Sequence, residues 1–597
     1  MKIEQNNSLC FKPFFQKIIK TKIFFLLILA LIVFLIYGKS INFEFLNLDD
    51  EKLIGSNINF ISDIRNLPKI FLTGCYYTKN SKDYYYRPIL SLSFILESSL
   101  FGKNSKISHI TNIILFILSI YLMYVFLLKL NLNKSVLQFV ILLMVVHPIL
   151  TSVSVWIAGR NDSLLTIFTI LSIINILEYL QNNKLKYFIF SVFFFAIALF
   201  TKESAIVLLL IVPILMFSIN KFSVKKLVVL YFGFLLFIIL YAILRSSTDV
   251  NSSLLLYLNN YIVFFKNMIY SFIIYISTFL TVFDIPVCLF DFSPDILSII
   301  KAILFISLIT FIYYSNFINR KFIVLGLSFF ILYLLPTFFA SQLFFHRLLL
   351  PSLGIVLIIV LLIQKIIEKY PISTKYFLCF FIILFLILSY SSYLQANKYK
   401  DNRIFTLEGY KNAPRYYHFL INMGTIYLEN QDYDKALEFM LLTEKYKPGL
   451  GLLGIASIFY YKNNLDQAEF FLKKAMDFNK DDENIYVNLS LIYENKHDYK
   501  KSLEYAIKAY NKNPYNIDIA INLARNYVLN EDYKKALDIY LYLLKLDNQK
   551  AGYYYSIGFL YDKLYNKEKA LEYVKKSVQL DENNQKYRDF LSNLLDN

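Results

Sequence analysis

The feature that most constrains this chain is its series of long apolar runs, which recur from Lys22 and stop abruptly at Leu394. Crossing the hydrocarbon core of a bilayer as a helix takes about 20 apolar residues. Inside that core every backbone N–H and C=O must be satisfied within the segment, so runs of this length fold as membrane-crossing helices. Eleven are predicted, at approximately 22–38, 109–129, 135–150, 163–180, 186–200, 204–220, 225–244, 296–314, 322–340, 351–367 and 376–394. The composition agrees, with 57% of the 597 residues hydrophobic and a mean hydropathy of +0.49. After Gln395 the chain turns polar and rich in Lys and Tyr. The expected fold is therefore all-α, a polytopic membrane domain over 22–394 followed by a water-soluble tail.

Charge placement orients the runs. With residues 1–21 on the cytoplasmic side, the inward connections are 129–134, 181–186, 220–226, 315–321 and 364–375, and each carries at least two Lys or Arg, as the positive-inside rule requires. Lys17 and Lys20 precede the first run, and no small-residue cleavage site follows it, so it reads as a retained anchor. The run 261–283 is expected to be interfacial or re-entrant, because a crossing there would turn Asn319-Arg320-Lys321 outward. The run 89–101, interrupted by Glu97, is expected to lie along the membrane surface.

The formal net charge of +17 does not mark a nucleic-acid binder. In the membrane part the basic residues sit in short connections, and in the tail they alternate with Asp and Glu as on solvated helices. The four cysteines, Cys10, Cys75, Cys288 and Cys379, show no metal spacing and no CxxC. Cys75 and Cys288 are expected on one side of the membrane, which permits a disulfide between them. No His, Asp or Glu spacing specific to a metal appears, and neither a metal nor a cofactor is expected.

This topology gathers ionisable residues on the outer face: the pair Asp49-Asp50 in the first loop (39–108), Arg87, His109, Arg160, Asp162, Lys202, Glu203, Arg245 and His346-Arg347. The connections holding Arg160, Asp162, Lys202 and Glu203 are short, so these groups stay close to the bilayer. Charge at that depth is costly unless paired or turned to a polar cavity. Acids mixed with cations suit an anionic lipid phosphate together with a general base. A transporter is disfavoured, since its charged groups would gather near the midplane.

The tail repeats. Ala436, Ala468, Ser502, Ala536 and Ala570 are spaced by 32, 34, 34 and 34 residues. Nine positions before each stands an aromatic residue, Tyr427, Phe459, Tyr493, Tyr527 or Tyr561. Three before that stands a small residue, Gly424, Ala456, Ser490, Ala524 or Gly558. This is the tetratricopeptide helix–turn–helix pattern. It predicts a linker over 395–416, five repeats over 417–584, and a capping helix over 585–597 that covers the open end of the solenoid.

Several motifs then point to a family. Phe45-Leu46-Asn47-Leu48-Asp49-Asp50 looks like a first-loop acid motif, with Leu48 where an aromatic is usual. Tyr86-Arg87-Pro88-Ile89, Phe101-Gly102 and His109 with Asn112 follow. His147-Pro148 precedes Gly159-Arg160-Asn161-Asp162; Thr201-Lys202-Glu203 comes next, then Arg347 and Pro351-Ser352-Leu353-Gly354. In this order, with repeats behind them, they resemble the transmembrane and tetratricopeptide-repeat O-mannosyltransferases and their bacterial relatives, which are polytopic C-type glycosyltransferases. Ser152 and His346 stand where that family commonly carries Glu.

The resemblance implies transfer of a sugar from a polyprenyl-phosphate carrier to an acceptor hydroxyl on the non-cytoplasmic face, in a bacterial inner membrane. Asp49 or Asp50 is the expected base. Arg160 and Lys202 are the expected phosphate partners, Arg87 and Arg347 further candidates, and Asp162, Glu203, His109 and His147 supporting residues. The repeats are expected to recruit a protein acceptor in their groove. Plainer readings compete. The acid pair caps the turn after it, Arg160 with Asp162 and Lys202 with Glu203 form structural ion pairs, and the two histidines are packing residues. At the level of the whole protein the alternatives are transfer to a glycolipid, transfer of a lipid-linked oligosaccharide, and a non-enzymatic repeat scaffold for envelope proteins.

Overall fold

A computed structural model describes residues 22–596 apart from 56, 76–84, 249–260, 291, 316, 340–341, 371–373 and 547–549; Cys10, Lys17 and Lys20 lie outside the described residues. The protein is all-α, a membrane helical domain followed by a helical solenoid. Among the described residues eight helices are long and apolar enough to cross a membrane, or nine if Lys134–Val145 and Pro148–Val155 form one span bent by 59°. That bend has a local cause. Pro148 has no N–H to continue the helix, and the His147 Nδ1 accepts instead from the Ile149 backbone N–H at 3.3 Å. The two other predicted spans are shorter apolar helices, Leu185–Thr201 and Glu203–Ser218, broken at Lys202. Each of the eleven apolar runs is thus helical, but only eight are uninterrupted helices of spanning length. Tyr261–Phe279 is one regular helix that packs on Ile296–Tyr314.

Charged contacts divide the bundle into two ends. At one end Lys129 pairs with Glu178, Lys226 donates to Leu180 O at 3.2 Å and Lys321 donates to Asn220 Oδ1 at 2.6 Å. At the other end lie the first loop, the residues around 160, 202 and 346, and the solenoid. Arg245 belongs to this second end through Tyr241 (3.4 Å), whose hydroxyl donates to Tyr86 O at 3.4 Å. Phe279 returns to it by stacking on His147 at 5.4 Å. Arg245 and Phe279 thus lie at the same end, and Asn319–Lys321 sits with the other basic connections.

Burial follows function within the bundle. Arg160–Asn182 is the most enclosed of the long helices, while Val224–Ser246 and Ile296–Tyr314 turn rows of Val, Leu, Ile and Phe outward, as lipid-facing helices do. Arg320–Leu334 and Leu349–Lys369 approach so closely that a Cβ on Gly354 would lie 1.9 Å from Gly326 O. Small residues permit such backbone contact between membrane helices. Cys288 is a buried free thiol, so the bridge to Cys75 is not formed.

The solenoid consists of five helix pairs and the last helix Gln585–Asp596. Ala436, Ala468, Ser502, Ala536 and Ala570 are fully buried at the pair contacts. In three pairs the preceding aromatic stacks on a second aromatic ring, Tyr427 on Phe439 (5.5 Å), Phe459 on Phe471 (5.4 Å) and Tyr493 on Tyr505 (5.5 Å), and in a fourth Tyr561 lies tilted against Tyr573 (5.5 Å). The segment 395–416 is no loose tether. It carries the helix Asn402–Asn412, and Phe405, Ala413 and Tyr416 are buried in the same apolar core as the membrane helices.

Replacing Gly354 with Ala is expected to destabilise the protein by about 1–3 kcal/mol or more, because backbone and not a flexible side chain must yield. Thermal unfolding of the detergent-solubilised protein measures this, and Gly552→Ala, where a new Cβ meets only the Tyr587 hydroxyl at 3.5 Å, is the control.

Candidate active site

After the first span the chain buries Phe43, Leu46 and Leu48, and this alternation turns Asp50 inward. Asp50 is 1% exposed. Its Oδ2 accepts from the Leu46 N–H at 3.0 Å, and its Oδ1 is enclosed with no hydrogen-bond partner. The carboxylate therefore closes the turn behind it and does not cap the one ahead. Burial pushes the Asp50 carboxyl up to about 7, with neighbouring Asp49 adding to the rise and the Leu46 N–H and Arg160 opposing it. Asp49 is half-buried, close enough to the Tyr416 phenol for its charge to disfavour the phenolate.

Arg160 is fully buried. Nε donates to Asn112 Oδ1 at 2.8 Å, and Nη2 donates to Glu97 Oε2 at 2.8 Å and to Ser108 O at 3.1 Å. The guanidinium lies 4.4 Å over the Phe94 ring. Asn112 in turn donates to Trp156 O (2.8 Å) and Ile157 O (3.2 Å), and Ser108 Oγ donates to Glu97. Nη1 has no hydrogen-bond partner. Gly159 is needed just before, since a Cβ there would meet Ser152 O at 2.7 Å. His109 is buried with its ring edge-on to Phe43 at 6.1 Å, and neither ring nitrogen has a hydrogen-bond partner.

Two residues along the same helix, Asp162 faces a different group. Its Oδ1 accepts from Lys202 Nζ at 2.8 Å, and its Oδ2 lies 3.6 Å from His346 Nε2. Arg87 lies 3.5 Å from Glu203 and stacks on Tyr85 at 4.1 Å. With its amide oriented to satisfy both neighbours, Asn161 accepts from Arg87 Nη1 (3.0 Å) and donates to Thr201 O (3.0 Å). Arg347 donates to Gln342 O at 3.3 Å. Burial pushes the Lys202 ammonium below its ordinary range; Asp162 opposes this, while Arg87 and Arg347 add to it. These three cations crowd one another around two acids.

The structure thus brings the predicted residues together in two adjoining groups. Asp50, Arg160 and His109 form one; Arg87, Asp162, Lys202, Glu203, His346 and Arg347 form the other. His147 stands apart, stacked on Phe279. The expected pairs are crossed: Arg160 pairs with Glu97 and not Asp162, Lys202 with Asp162 and not Glu203, and Glu203 with Arg87. Sequence reasoning missed Glu97, which is 9% exposed. The signal was there, a lone acid in the apolar run Pro88–Phe101. Among the described residues no group of three or more His, Cys, Asp and Glu gathers as a metal site would.

Replacing Glu97 with Gln leaves the buried Arg160 without its counter-charge, and breaking a buried pair in this way costs about 3–5 kcal/mol. Thermal unfolding in detergent is expected to show that loss. Lys365→Gln, at an exposed pair with Glu368, is expected to show almost none.

Comparison with known proteins adds a family to this geometry. Residues 88–245 match the family model of dolichyl-phosphate-mannose-protein mannosyltransferase, and residues 551–584 match that of the tetratricopeptide repeat. No curated protein matches the chain. Solved structures similar to part of it include YrrB, a TPR protein with an unusual peptide-binding site (16% identity, TM-score 0.26, 31% of this chain and 96% of that one). A second is the MamA protein (20% identity, TM-score 0.25, 29% and 94%). A third is a thermophilic TPR protein of Thermus thermophilus (17% identity, TM-score 0.25, 30% and 98%). The chain thus matches the mannosyltransferase model over one stretch and the tetratricopeptide-repeat model over another, the combination its motifs resemble.

Proposed function

We propose that this integral membrane protein, whose residues 88–245 carry a mannosyltransferase-family region, transfers a hexose from a polyprenyl-phosphate carrier to an acceptor hydroxyl on the non-cytoplasmic face. The acceptor is a protein Ser or Thr, recruited by the repeats. The observation that carries this reading is a convergence at one end of the bundle. An acid pair and three partly exposed cations, Arg87, Lys202 and Arg347, lie at this end, with Glu203 paired to Arg87 and Asp162 to Lys202. The opposite end holds the basic connections, which supports a cytoplasmic assignment for it and a non-cytoplasmic one for the acids. In a bacterial cell this membrane is the inner one.

The transfer needs a proton acceptor and a stabilised leaving group. The acceptor O–H gives its proton to a carboxylate as its oxygen bonds to the sugar's anomeric carbon. The bond from that carbon to the phosphate oxygen breaks, and the lipid phosphate leaves with the electron pair. Asp49, half-buried, is the carboxylate open to an acceptor; Asp50 lies sealed behind it and fixes the turn through the Leu46 N–H. Lys202, Arg87 and Arg347 receive the growing phosphate charge, Arg as a fork and Lys as a compact charge. Arg160 spends its Nε and Nη2 on Asn112, Glu97 and Ser108, so its part is to position Asp50. No metal or cofactor is needed by this scheme.

Replacing Asp49 with Asn is expected to cut transfer about 10²–10⁴-fold, the usual worth of a general base. Assay of protein-linked glycan with lipid-linked donor measures it, and undiminished transfer by folded protein would refute the assignment. Arg347 pairs with a backbone carbonyl, so Arg347→Gln strands no acid; it is expected to raise the donor KM about tenfold to a hundredfold.

Asp50 makes a separate pH prediction. Its folded pKa is raised from 3.8 to about 7, so the stability owed to its neutral form is full below about 4 and is lost as pH rises through about 7. Asp50→Asn is therefore expected to raise Tm over the native protein at pH 8, to raise it by less at pH 5, and to leave it nearly unchanged only below about pH 4. The acidic limb of kcat/KM reports protonation of the acid pair as a unit, and it is expected to move to lower pH in the same variant, which removes the neighbouring carboxyl.

A further inference from the structure

The acid loop is held from outside the membrane domain. Its backbone bonds at four points to the stretch joining the last membrane helix to the first repeat. Glu44 N donates to Lys400 O at 3.1 Å. Asn47 N donates to Asn402 Oδ1 at 2.5 Å. Asn402 Nδ2 donates to Phe45 O at 3.1 Å. Asn422, in the first repeat helix, donates to Asn47 O at 3.4 Å. A carboxamide carries a donor and an acceptor side by side. Phe45 O and Asn47 N are the pair that a neighbouring strand would bridge, and one side chain takes both.

We propose that Asn402 is a positioning residue for the Asp49-Asp50 turn, so that the start of the solenoid is part of the active site. This rests on the glycosyltransferase reading above. Asn402 is itself fixed. It opens the helix Asn402–Asn412, whose cap residue Asp401 accepts from Ile404 N at 2.8 Å. Just before it, Lys398 is tied to Asp284 (2.9 Å) and Glu408 (3.4 Å). From the first span Lys39 donates to Tyr393 O (2.6 Å) and Asn397 Oδ1 (2.7 Å). The anchor is therefore rigid, and the loop it grips is short: Asn47 is two residues from Asp49.

Asn47 is exposed, so water would satisfy its N–H if Asn402 did not. The bond with Asn402 adds geometry, not satisfaction. A displacement of about 1 Å in a reacting group is enough to cost a hundredfold in rate. Loosening the turn also admits water to Asp50 and lowers its apparent pKa, a consequence that a merely structural contact far from the acids would not have.

The test uses the full-length protein in its membrane. Asn402→Ala is expected to lower kcat roughly tenfold to a hundredfold with the donor KM unchanged, and to shift the acidic limb of the pH profile to lower pH. Asn402→Asp keeps the acceptor for Asn47 N and loses the donor to Phe45 O, and is expected to fall between Ala and native. A native kcat and limb in Asn402→Ala would overturn the proposal. So would a loss that tracks the amount of folded protein while the limb stays in place. Asp49→Asn, measured alongside, separates the premises. If it transfers sugar normally the base assignment fails; if it is inactive and Asn402→Ala is native, only the positioning role fails.

Discussion

The membrane half is organised around one buried ion pair, Arg160 with Glu97 at 2.8 Å. Neither charge has water to return to, since Arg160 is wholly enclosed and Glu97 nearly so. A pair in such a place contributes little net stability, but each partner is expensive without the other. That asymmetry selects geometry. The helix Pro88–Phe101 must present Glu97, Ser105–Leu128 must present Ser108 and Asn112, and Arg160–Asn182 must begin where Gly159 lets its backbone press on Ser152. Three helices, two of them consecutive and the third following later in the chain, are locked in register by one guanidinium. The acid turn is then built against this plug, and the Arg160 charge holds the Asp50 pKa below where burial alone would take it.

The first turn of Arg160–Asn182 also separates two jobs. Successive residues of an α-helix are about 100° apart, so Arg160 and Asp162 face nearly opposite ways. One side meets the acid turn, the other Lys202, His346 and Arg347. The proposed transfer would need a base on one side of the reacting carbon and anion stabilisers on the other, and a tetrapeptide at a helix start would supply that partition. Asn161 stands between the two faces and ties Arg87 to the backbone at Thr201.

Much of this was legible in the sequence. Hydropathy located the eight helices of spanning length among the described residues, because the bilayer imposes length and composition directly, and it read as spans three further runs that are bent or shorter helices. The 34-residue period located each repeat, because the small residues must sit where paired helices touch, and Ala436, Ala468 and Ala570 are indeed fully buried there. The acid and cation residues were legible as costly charges near the membrane. Pairing was not. Adjacent residues such as Lys202 and Glu203 look like partners in a linear reading, yet they fall on different sides of the break at Lys202. The true partners, Asp162 and Arg87, lie 40 and more residues away. Glu97 was passed over for the same reason. Its partner follows 63 residues later, and nothing local in the run 89–101 says which way its carboxylate faces. The helix Asn402–Asn412, read as linker, was hidden by its polar composition, since its anchoring comes from a few buried positions such as Phe405.

The contacts at 400–422 bear on what the repeats are for. A recruiting appendage would be joined by a flexible segment, leaving the enzyme indifferent to where its acceptor-binding surface sits. Here the joint is packed into the membrane core through Phe405 and Tyr416, and the first loop meets the solenoid again further along, where Phe60 lies edge-on to Tyr515 at 5.5 Å. Tyr515 follows the third helix pair, so the loop carrying the acids reaches from the first repeat to the junction of the third and fourth. A loop held at both points keeps Asp49 in one place relative to the groove. An acceptor segment seated along the repeats would then present its hydroxyl to a carboxylate already positioned, with the cost of ordering that carboxylate met in folding and not at each encounter.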